Sequence, residues 1–293
     1  MAEKRSGPEP GLGEYPGYKK ELMFRYLIIL TICSTGGLQC WRTLFDNFSV
    51  HVVGLDGHHM GSLQSVREIP GFLALLVTYV IIIIKEHRLS ALSIVILGTG
   101  VLFTGLLPSF QGLIFTTLIM SFGFHYYETT NQSLTLQYFD RLVSPLVFAA
   151  QQRYAALANI LVGIAIFVVA PYLSYKAMYL LFGGLICGCG IWALTRNPVK
   201  KKLHPQKKQL ILKKKYWLFY FLTFMAGARR QIFIAFAVFL LVKKFSFSVQ
   251  DITLLFLLNN LINFAISPLV GKFILKYGER RLLSLEYFSL ILV

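Results

Sequence analysis

Charged side chains are scarce in this sequence, and their scarcity limits the kind of surface the protein can have. They make up only 14% of the 293 residues, whereas a soluble domain carries about 25%. Hydrophobic residues make up 56% of the chain, so too few polar side chains remain to cover a water-facing surface. The composition excludes an ordinary soluble domain and indicates an integral membrane protein.

Alternation of apolar and polar residues, the pattern of a membrane β-barrel strand, is also absent. Instead the apolar residues form long continuous runs, and a transmembrane helix needs about 20 such residues. Because lipid offers no partner to backbone polar groups, helices are the remaining way to cross it. We therefore expect an all-α multi-pass protein with eight complete spans and part of a ninth from residue 282, the eight lying near residues 23–50, 63–84, 90–108, 111–135, 145–170, 174–195, 216–242 and 250–275.

Catalytic and metal-binding motifs are missing as well. No H-x-x-x-x-D, G-x-S-x-G or P-loop pattern occurs, so the sequence predicts neither an enzyme nor an ATP site. The adjacent His58 and His59 are the nearest metal candidate, and two neighbouring side chains are weak evidence for a site. Neither a disulfide framework nor zinc-ligand spacing is seen among the cysteines, which all lie in apolar runs: Cys33, Cys40, Cys187 and Cys189. We expect no cofactor and no metal.

Basic residues outnumber acidic residues by 29 to 13, which gives a net charge of +16. In a soluble protein this excess would suggest nucleic acid, but here most basic residues lie in short segments between apolar runs. Of the 29, 21 fall on one side of the predicted spans, 3 fall on the other and 5 lie within spans. Because Lys and Arg concentrate on the cytoplasmic side, we expect a cytoplasmic N-terminus in a cell membrane, contact with anionic lipid and no nucleic-acid partner.

The densest basic segment divides the chain into parts. Residues 1–20 are rich in Gly, Pro and charge, which predicts a flexible cytoplasmic tail. We expect a six-helix bundle over 21–196, a basic cytoplasmic linker over 197–215 and an incomplete second bundle over 216–293. The ninth apolar run reaches Val293 after about 12 residues, too few to span a bilayer. We therefore expect a C-terminally truncated product or fragment of a longer protein.

Two local patterns connect the chain to a known family. Setting Arg42 against Arg230 aligns residues 42–50 with 230–238, as an internal repeat of six spans predicts. The loop after span eight reads GKFILKYGERR over residues 271–281. In its layout and in this loop the protein resembles transporters of the major facilitator superfamily. The resemblance implies two six-helix halves, a long central cytoplasmic loop and a gating loop of the form G-x-x-x-D-R-x-G-R-R, matched here by Gly271, Lys276, Gly278, Arg280 and Arg281.

The sequence also departs from the family pattern. Leu275 stands where the family has an acid, and Glu279 stands where a basic residue is usual. The loop after span two keeps the charges of Lys85 and Arg88 but lacks the glycines and the acid, and span five lacks the proline-glycine antiporter motif. These departures argue against a drug/proton antiporter and against the usual gating contact in the first half.

Polar side chains inside the spans are the candidate binding groups, because such residues are costly in lipid and usually face the protein interior or an aqueous cavity. A guanidinium group suits carboxylate or phosphate. Similar family members that exchange organic phosphates carry an arginine on spans one and seven, which the resemblance carries over to Arg42 and to Arg229 or Arg230. The full set of predicted substrate-binding residues is Arg42, Glu128, Arg153, Arg229, Arg230, Asn259 and Asn260.

Several candidates have a purely structural interpretation. Asp46 lies one helical turn after Arg42 and can neutralise it. Glu128 and Arg153 can form a salt bridge instead of binding a solute, and the asparagines of span eight can join helices.

Three functions follow from these features. The first is a secondary transporter of a small anionic or zwitterionic solute, working by alternating access and driven by a proton or a counter-solute. The second is a membrane scaffold that keeps the transporter fold without transporting. The third is a multi-pass transferase, for which the sequence offers no catalytic motif.

Overall fold

The computed structural model describes residues 17–140, 143–199, 213–277 and 279–291. All regular structure within these ranges is helical, which confirms the predicted all-α class. The described ranges contain ten α-helices: α1 (Leu22–His51), α2 (Gly57–Leu73), α3 (Val77–Ile83), α4 (Glu86–Thr104), α5 (Phe110–Tyr138), α6 (Ser144–Val169), α7 (Tyr175–Leu194), α8 (Trp217–Phe245), α9 (Val249–Tyr277) and α10 (Glu279–Ile291).

Span two differs most from its prediction. Instead of one helix over 63–84, the segment consists of α2, a 3-10 turn at Ala74–Leu76 and the short helix α3. Pro70 lies inside α2 and has no N–H to donate to the carbonyl four residues earlier. The missing hydrogen bond weakens α2 about one turn before Ala74, where the 3-10 turn begins.

Six helical segments among the described residues are long and apolar enough to cross a membrane: Leu22–His51, Gly57–Ile83, Glu86–Thr104, Ser144–Val169, Tyr175–Leu194 and Val249–Ile266. Helix α5 is not one of them, since it carries a polar run over residues 125–133. The count of eight complete spans remains a prediction. So do the domain limits, which fall partly in residues 1–16 and 200–212, outside the described residues.

Helix α1 lies at the centre of the assembly. It contacts α4, α5, α6 and α7 from the first part of the chain and α8 and α9 from the second. Its large side chains are buried around most of the helix, as expected for a helix enclosed by others; Leu27, Leu30, Trp41, Leu44 and Phe45 are all in the core. Polar groups on α1 are therefore held among neighbouring helices.

Helix α4 packs closely against α5 and α7 because glycines lie at both contacts. A Cβ atom added to Gly100 would clash with the backbone of Met120 in α5. A Cβ atom on Gly183 of α7 would lie 2.5 Å from the backbone nitrogen of Leu102. Small residues let helix backbones approach each other in lipid, where packing replaces the hydrophobic effect as the driving force.

Helix α6 connects the earlier helices to the later ones. It packs on α1 and also runs along α9, and a Cβ on Gly163 would lie 2.8 Å from Cδ2 of Leu257 in α9. We call this contact the α6–α9 seam. Several of the predicted site residues lie on these two helices.

Candidate functional site

Arg42 lies on α1 and is half-buried. The carboxylate expected to neutralise it, Asp46, is buried one turn further on, with only 9% exposure. No ion pair within 4.0 Å joins Asp46 to Arg42. The expected pairing within one helix is therefore not formed.

Arg67 is held by Glu68, its neighbour in the chain. Its Nε and Nη2 atoms donate to the same oxygen of Glu68, at 3.1 and 2.8 Å. Arg67 is only 6% exposed, and the hydroxyl of Ser121 in α5 donates to its backbone carbonyl. This buried arginine joins α2 to α5 through its backbone and binds the Glu68 carboxyl group through its side chain.

Glu128 and Arg153 do not form the salt bridge considered above. Glu128 is exposed over 52% of its side chain, and its Oε2 atom lies 3.9 Å from Nδ1 of His125 in the same helix. Arg153 is also exposed, and its guanidinium carbon lies 5.4 Å from the ring centroid of Phe264 in α9. The two side chains therefore belong to different contacts, and Arg153 lies at the α6–α9 seam.

Amide side chains join α5 to α6 in a hydrogen-bond network, which we did not predict from the sequence. Asn131 donates to Gln151 at 3.1 Å, and Gln151 donates back at 3.3 Å and to the hydroxyl of Thr135 at 3.1 Å. Gln151 is buried, so these bonds satisfy a group that would otherwise be costly. The network fixes α6 on the turn that precedes Arg153.

Asn260 acts as a helix contact in the structure. It is 7% exposed, and its Oδ1 accepts a hydrogen bond of 3.0 Å from Nδ2 of Asn159 in α6. Its neighbour Asn259 is exposed. We did not predict a role for Asn159 from the sequence. It lies in an apolar run, as do the asparagines of α9 that we did predict as candidates.

Several predicted residues cannot be placed as side chains. Arg229 and Arg230 lie in α8, Gly271 and Lys276 in α9, and Arg280 in α10, but their side chains lie outside the described part of the structure. Gly278 lies outside the described residues altogether, and Arg281 is exposed at the start of α10. Their roles in solute binding and gating remain predictions.

His59 has a structural role at the start of α2. Asp56 caps this helix by accepting from the backbone N–H of His59 at 3.0 Å and from its Nδ1 at 2.7 Å. These hydrogen bonds hold the pKa of the Asp56 carboxyl below its ordinary value. Within the described ranges no cluster of three or more His, Cys, Asp or Glu side chains could hold a metal ion.

The sequence model of the Major Facilitator Superfamily matches residues 27–293. The chain belongs to the Major Facilitator Superfamily. This membership confirms the resemblance suggested by the loop at 271–281, and it identifies an integral membrane transporter and not an enzyme.

Solved structures of other proteins have a fold similar to that of this member of the Major Facilitator Superfamily. The crystal structure of the nucleoside transporter NupG matches with a TM-score of 0.65 at 16% identity, covering 87% of this chain and 68% of that one. A single-residue mutant of NupG matches with a TM-score of 0.63 at 14% identity, covering 87% and 69%. At such identities the likeness shows the fold alone. No curated protein matches the chain by sequence.

Proposed function

We propose that this protein is a secondary transporter that moves a small anionic or zwitterionic solute by alternating access. The observation that carries the proposal is Arg153. It lies in α6, a helix apolar enough to span a membrane, and about 14 Å from the helix start by rise per residue. An exposed arginine at such a depth is costly unless it faces water or a polar ligand.

The surroundings of Arg153 favour an anionic ligand. No carboxylate of the described residues lies within 4.0 Å of its guanidinium group. The ring of Phe264 lies against the guanidinium, and such stacking leaves the N–H groups at the edge of the plane able to donate. The planar fork of donors matches a carboxylate or a phosphate.

The position of Arg153 also fits alternating access. In transporters built from two bundles, the solute site lies near the middle of the bilayer between them. Arg153 and Phe264 lie on opposite sides of the α6–α9 seam, so a movement of α9 relative to α6 would change the environment of the guanidinium group. Arg42 on α1, and Arg229 or Arg230 on α8, are proposed as further solute contacts.

We further propose that the N-terminus is cytoplasmic, that the protein lies in the cell membrane, and that a proton or counter-solute gradient supplies the energy. The 21 basic residues on one side of the spans support the orientation. A gradient as the energy source agrees with the lack of a P-loop in the sequence.

A nucleoside is the second candidate solute, because two of the matching structures are of a nucleoside transporter. A nucleoside is neutral at physiological pH, so its recognition would depend on amide and aromatic groups more than on Arg153. The two candidates therefore predict different consequences of removing the guanidinium charge.

The test is uptake by the full-length protein in cells, using matched panels of carboxylates, phosphate esters, amino acids and nucleosides. Arg153→Gln should reduce uptake of the preferred anionic or zwitterionic solute by at least about 10-fold, since a charged hydrogen bond contributes about 1.5–3 kcal/mol. Gln152→Ala, at the exposed neighbouring position, is the control and should transport normally. Nucleoside uptake that persists in Arg153→Gln, with no anion transported by either protein, would favour the second candidate.

A further inference from the structure

An apolar groove runs along one face of α7. Its lining includes Leu181, Leu185, Gly188 and Trp192, and residues three or four positions apart lie on the same face of a helix. Its volume of about 520 Å³ falls within the range of about 300–1,000 Å³ that is usual for sites of small organic ligands. Leu181, Leu185 and Trp192 are exposed, so the groove opens to the surroundings of the protein.

The glycines of α7 differ in what lies against them. A Cβ atom on Gly183 or Gly190 would lie 2.5 or 2.8 Å from a backbone nitrogen of α4. A Cβ atom on Gly184 or Gly188 would meet no atom within 4 Å. A glycine inside a helix costs about 1 kcal/mol relative to alanine, and packing against α4 accounts for this cost only at the first two positions. Gly184 and Gly188 both line the groove, so the missing side chains leave space there.

Arg196 lies at the end of the groove that Trp192 closes. The backbone N–H groups of Thr195 and Arg196 donate to the carbonyls of Trp192 and Ala193, at 3.1 and 3.0 Å, so the last turn of α7 holds Arg196 in place. The guanidinium carbon of Arg196 lies 5.1 Å from the ring centroid of Trp192. An arginine stacked in this way keeps the N–H groups at its edge available as donors.

The charge at this end of the groove is positive and unopposed. No carboxylate of the described residues lies within 4.0 Å of the Arg196 guanidinium group. The sequence contains no Asp or Glu between Asp140 and Asp251. A ligand that fits both parts of the site therefore has a long apolar part and an anionic end.

The length of the groove matches one leaflet of a bilayer. From Leu181 to Trp192 the helix rises about 17 Å at about 1.5 Å per residue, and one leaflet contributes about 15 Å of hydrocarbon, half of about 30 Å. Tryptophan is enriched where hydrocarbon meets the headgroups. Arg196 lies about 6 Å beyond Trp192 along the helix axis, which is the level of lipid phosphate.

We propose that α7 carries a binding site for an anionic phospholipid, whose acyl chain lies in the groove and whose phosphate binds Arg196. The planar guanidinium group donates two parallel hydrogen bonds to phosphate oxygens, and the chain fills the space over Gly184 and Gly188. With the orientation proposed above, this end of α7 faces the cytoplasmic leaflet, in which anionic lipids concentrate.

A second copy of the protein fits this face less well than a lipid does. In a two-fold dimer the same surface patch of each subunit meets its own copy. With the two-fold axis along the bilayer normal, the two α7 helices would bring both Arg196 residues to the same depth. Their like charges would then repel each other without an acid to separate them, whereas a phosphate neutralises the guanidinium group.

Lipid binding is tested by quenching of Trp192 fluorescence in the full-length protein. The Trp217→Phe background leaves Trp192 as the exposed reporter, since Trp41 is only 1% exposed. Phosphatidylcholine vesicles receive a small fraction of brominated phosphatidylglycerol or, in parallel, of brominated phosphatidylcholine. The anionic lipid should quench Trp192 at a fraction about 10-fold lower, because a charged hydrogen bond contributes about 1.5–3 kcal/mol. Equal quenching by the two lipids would overturn the proposal.

The role of Arg196 is tested in the same background. Arg196→Gln should abolish the preference for the anionic lipid. Lys20→Gln removes the same charge from an exposed residue ahead of α1 and should leave most of the preference. A preference that survives in Arg196→Gln, or that is lost equally in both variants, would show a general attraction to basic residues and contradict a site on α7.

Occupation of the groove is tested by Gly188→Leu, which fills it. Quenching by the anionic lipid should then need a fraction several-fold higher. Gly227→Leu in α8 is the control, because a Cβ atom on Gly227 also meets no atom within 4 Å, and it should bind the lipid normally. Unchanged quenching in Gly188→Leu, or quenching that falls as more protein is placed in each vesicle, would overturn the proposal, the latter in favour of a second copy. If Gly188→Leu fails to fold, the comparison on Arg196→Gln still decides.

Discussion

Asn159 and Asn260 join α6 to α9 by a hydrogen bond of 3.0 Å from Nδ2 of Asn159 to Oδ1 of Asn260. The amide of Asn260 also donates to the carbonyl of Phe256 in its own helix at 2.7 Å, which fixes the direction of its acceptor oxygen. Phe264, one turn further along α9, packs against Arg153 of α6. The seam therefore combines one interhelical hydrogen bond with one cation–π contact.

We predict that Asn159 and Asn260 stabilise the protein as a pair. Hydrogen bonds between membrane helices contribute about 0.6 kcal/mol on average and up to about 1.7 kcal/mol. A double-mutant cycle of Asn159→Ala and Asn260→Ala, read by unfolding in detergent, should give a coupling energy in that range. Asn259→Ala, at the exposed neighbour, is the control and should show no coupling to Asn159→Ala. Additive effects of the first two changes would contradict the pairing.

Two adjacent glycines of α7 should respond oppositely to the same substitution. A Cβ on Gly183 would meet the backbone of Leu102, whereas a Cβ on Gly184 meets no atom within 4 Å. Because both substitutions gain about 1 kcal/mol of helix propensity, the difference in stability between the two variants measures the effect on helix packing alone. Gly183→Ala should lower the melting temperature in detergent, and Gly184→Ala should leave it unchanged or raise it. Equal effects would show that α4 and α7 are not in close contact.

The orientation of the spans can be checked with single cysteines. Tyr172 is 85% exposed in the connection between α6 and α7, and Asp140 is exposed between α5 and α6. With a cytoplasmic N-terminus, Tyr172→Cys should react with a membrane-impermeant maleimide on intact cells. Asp140→Cys should react only after permeabilisation, and the wild type, whose cysteines lie in helices, provides the background. The reverse pattern would place the N-terminus outside.

The cation–π contact makes a separate prediction about the seam. Phe264→Leu keeps the apolar volume but removes the aromatic face beneath Arg153, a contact worth about 0.5–1 kcal/mol at exposed sites. Transport should persist with a changed KM, because the guanidinium remains but is less well positioned. Phe256→Leu, about two turns earlier on α9, should have a smaller effect. Identical kinetics for the wild type and Phe264→Leu would show that the ring does not position Arg153.

Much of the helical layout could be predicted from the apolar runs. In lipid, a spanning segment must form its backbone hydrogen bonds within itself, so the length of each apolar run sets the length of a helix. Helices α1, α6 and α7 begin and end within one residue of the predicted limits. The break after Pro70 in span two was not predicted, since hydropathy is the same for one straight helix and for two joined by a turn.

The contacts between helices could not be predicted in the same way. The (i, i+4) rule paired Asp46 with Arg42, whereas the structure shows no ion pair between them. Which face of α1 meets which neighbour depends on three-dimensional packing and not on spacing along one helix. For the same reason Asn159 was missed as the partner of Asn260, and the expected pair of Glu128 and Arg153 is not formed.

The most direct test of a transport function is solute uptake by the full-length protein reconstituted into proteoliposomes, with imposed solute and proton gradients and no ATP. An anionic or zwitterionic solute should be taken up or exchanged, and Arg153→Gln should lose this uptake while inserting normally. A protein that is folded and inserted but neither takes up nor exchanges any solute of the panel would contradict it and favour a scaffold with the transporter fold.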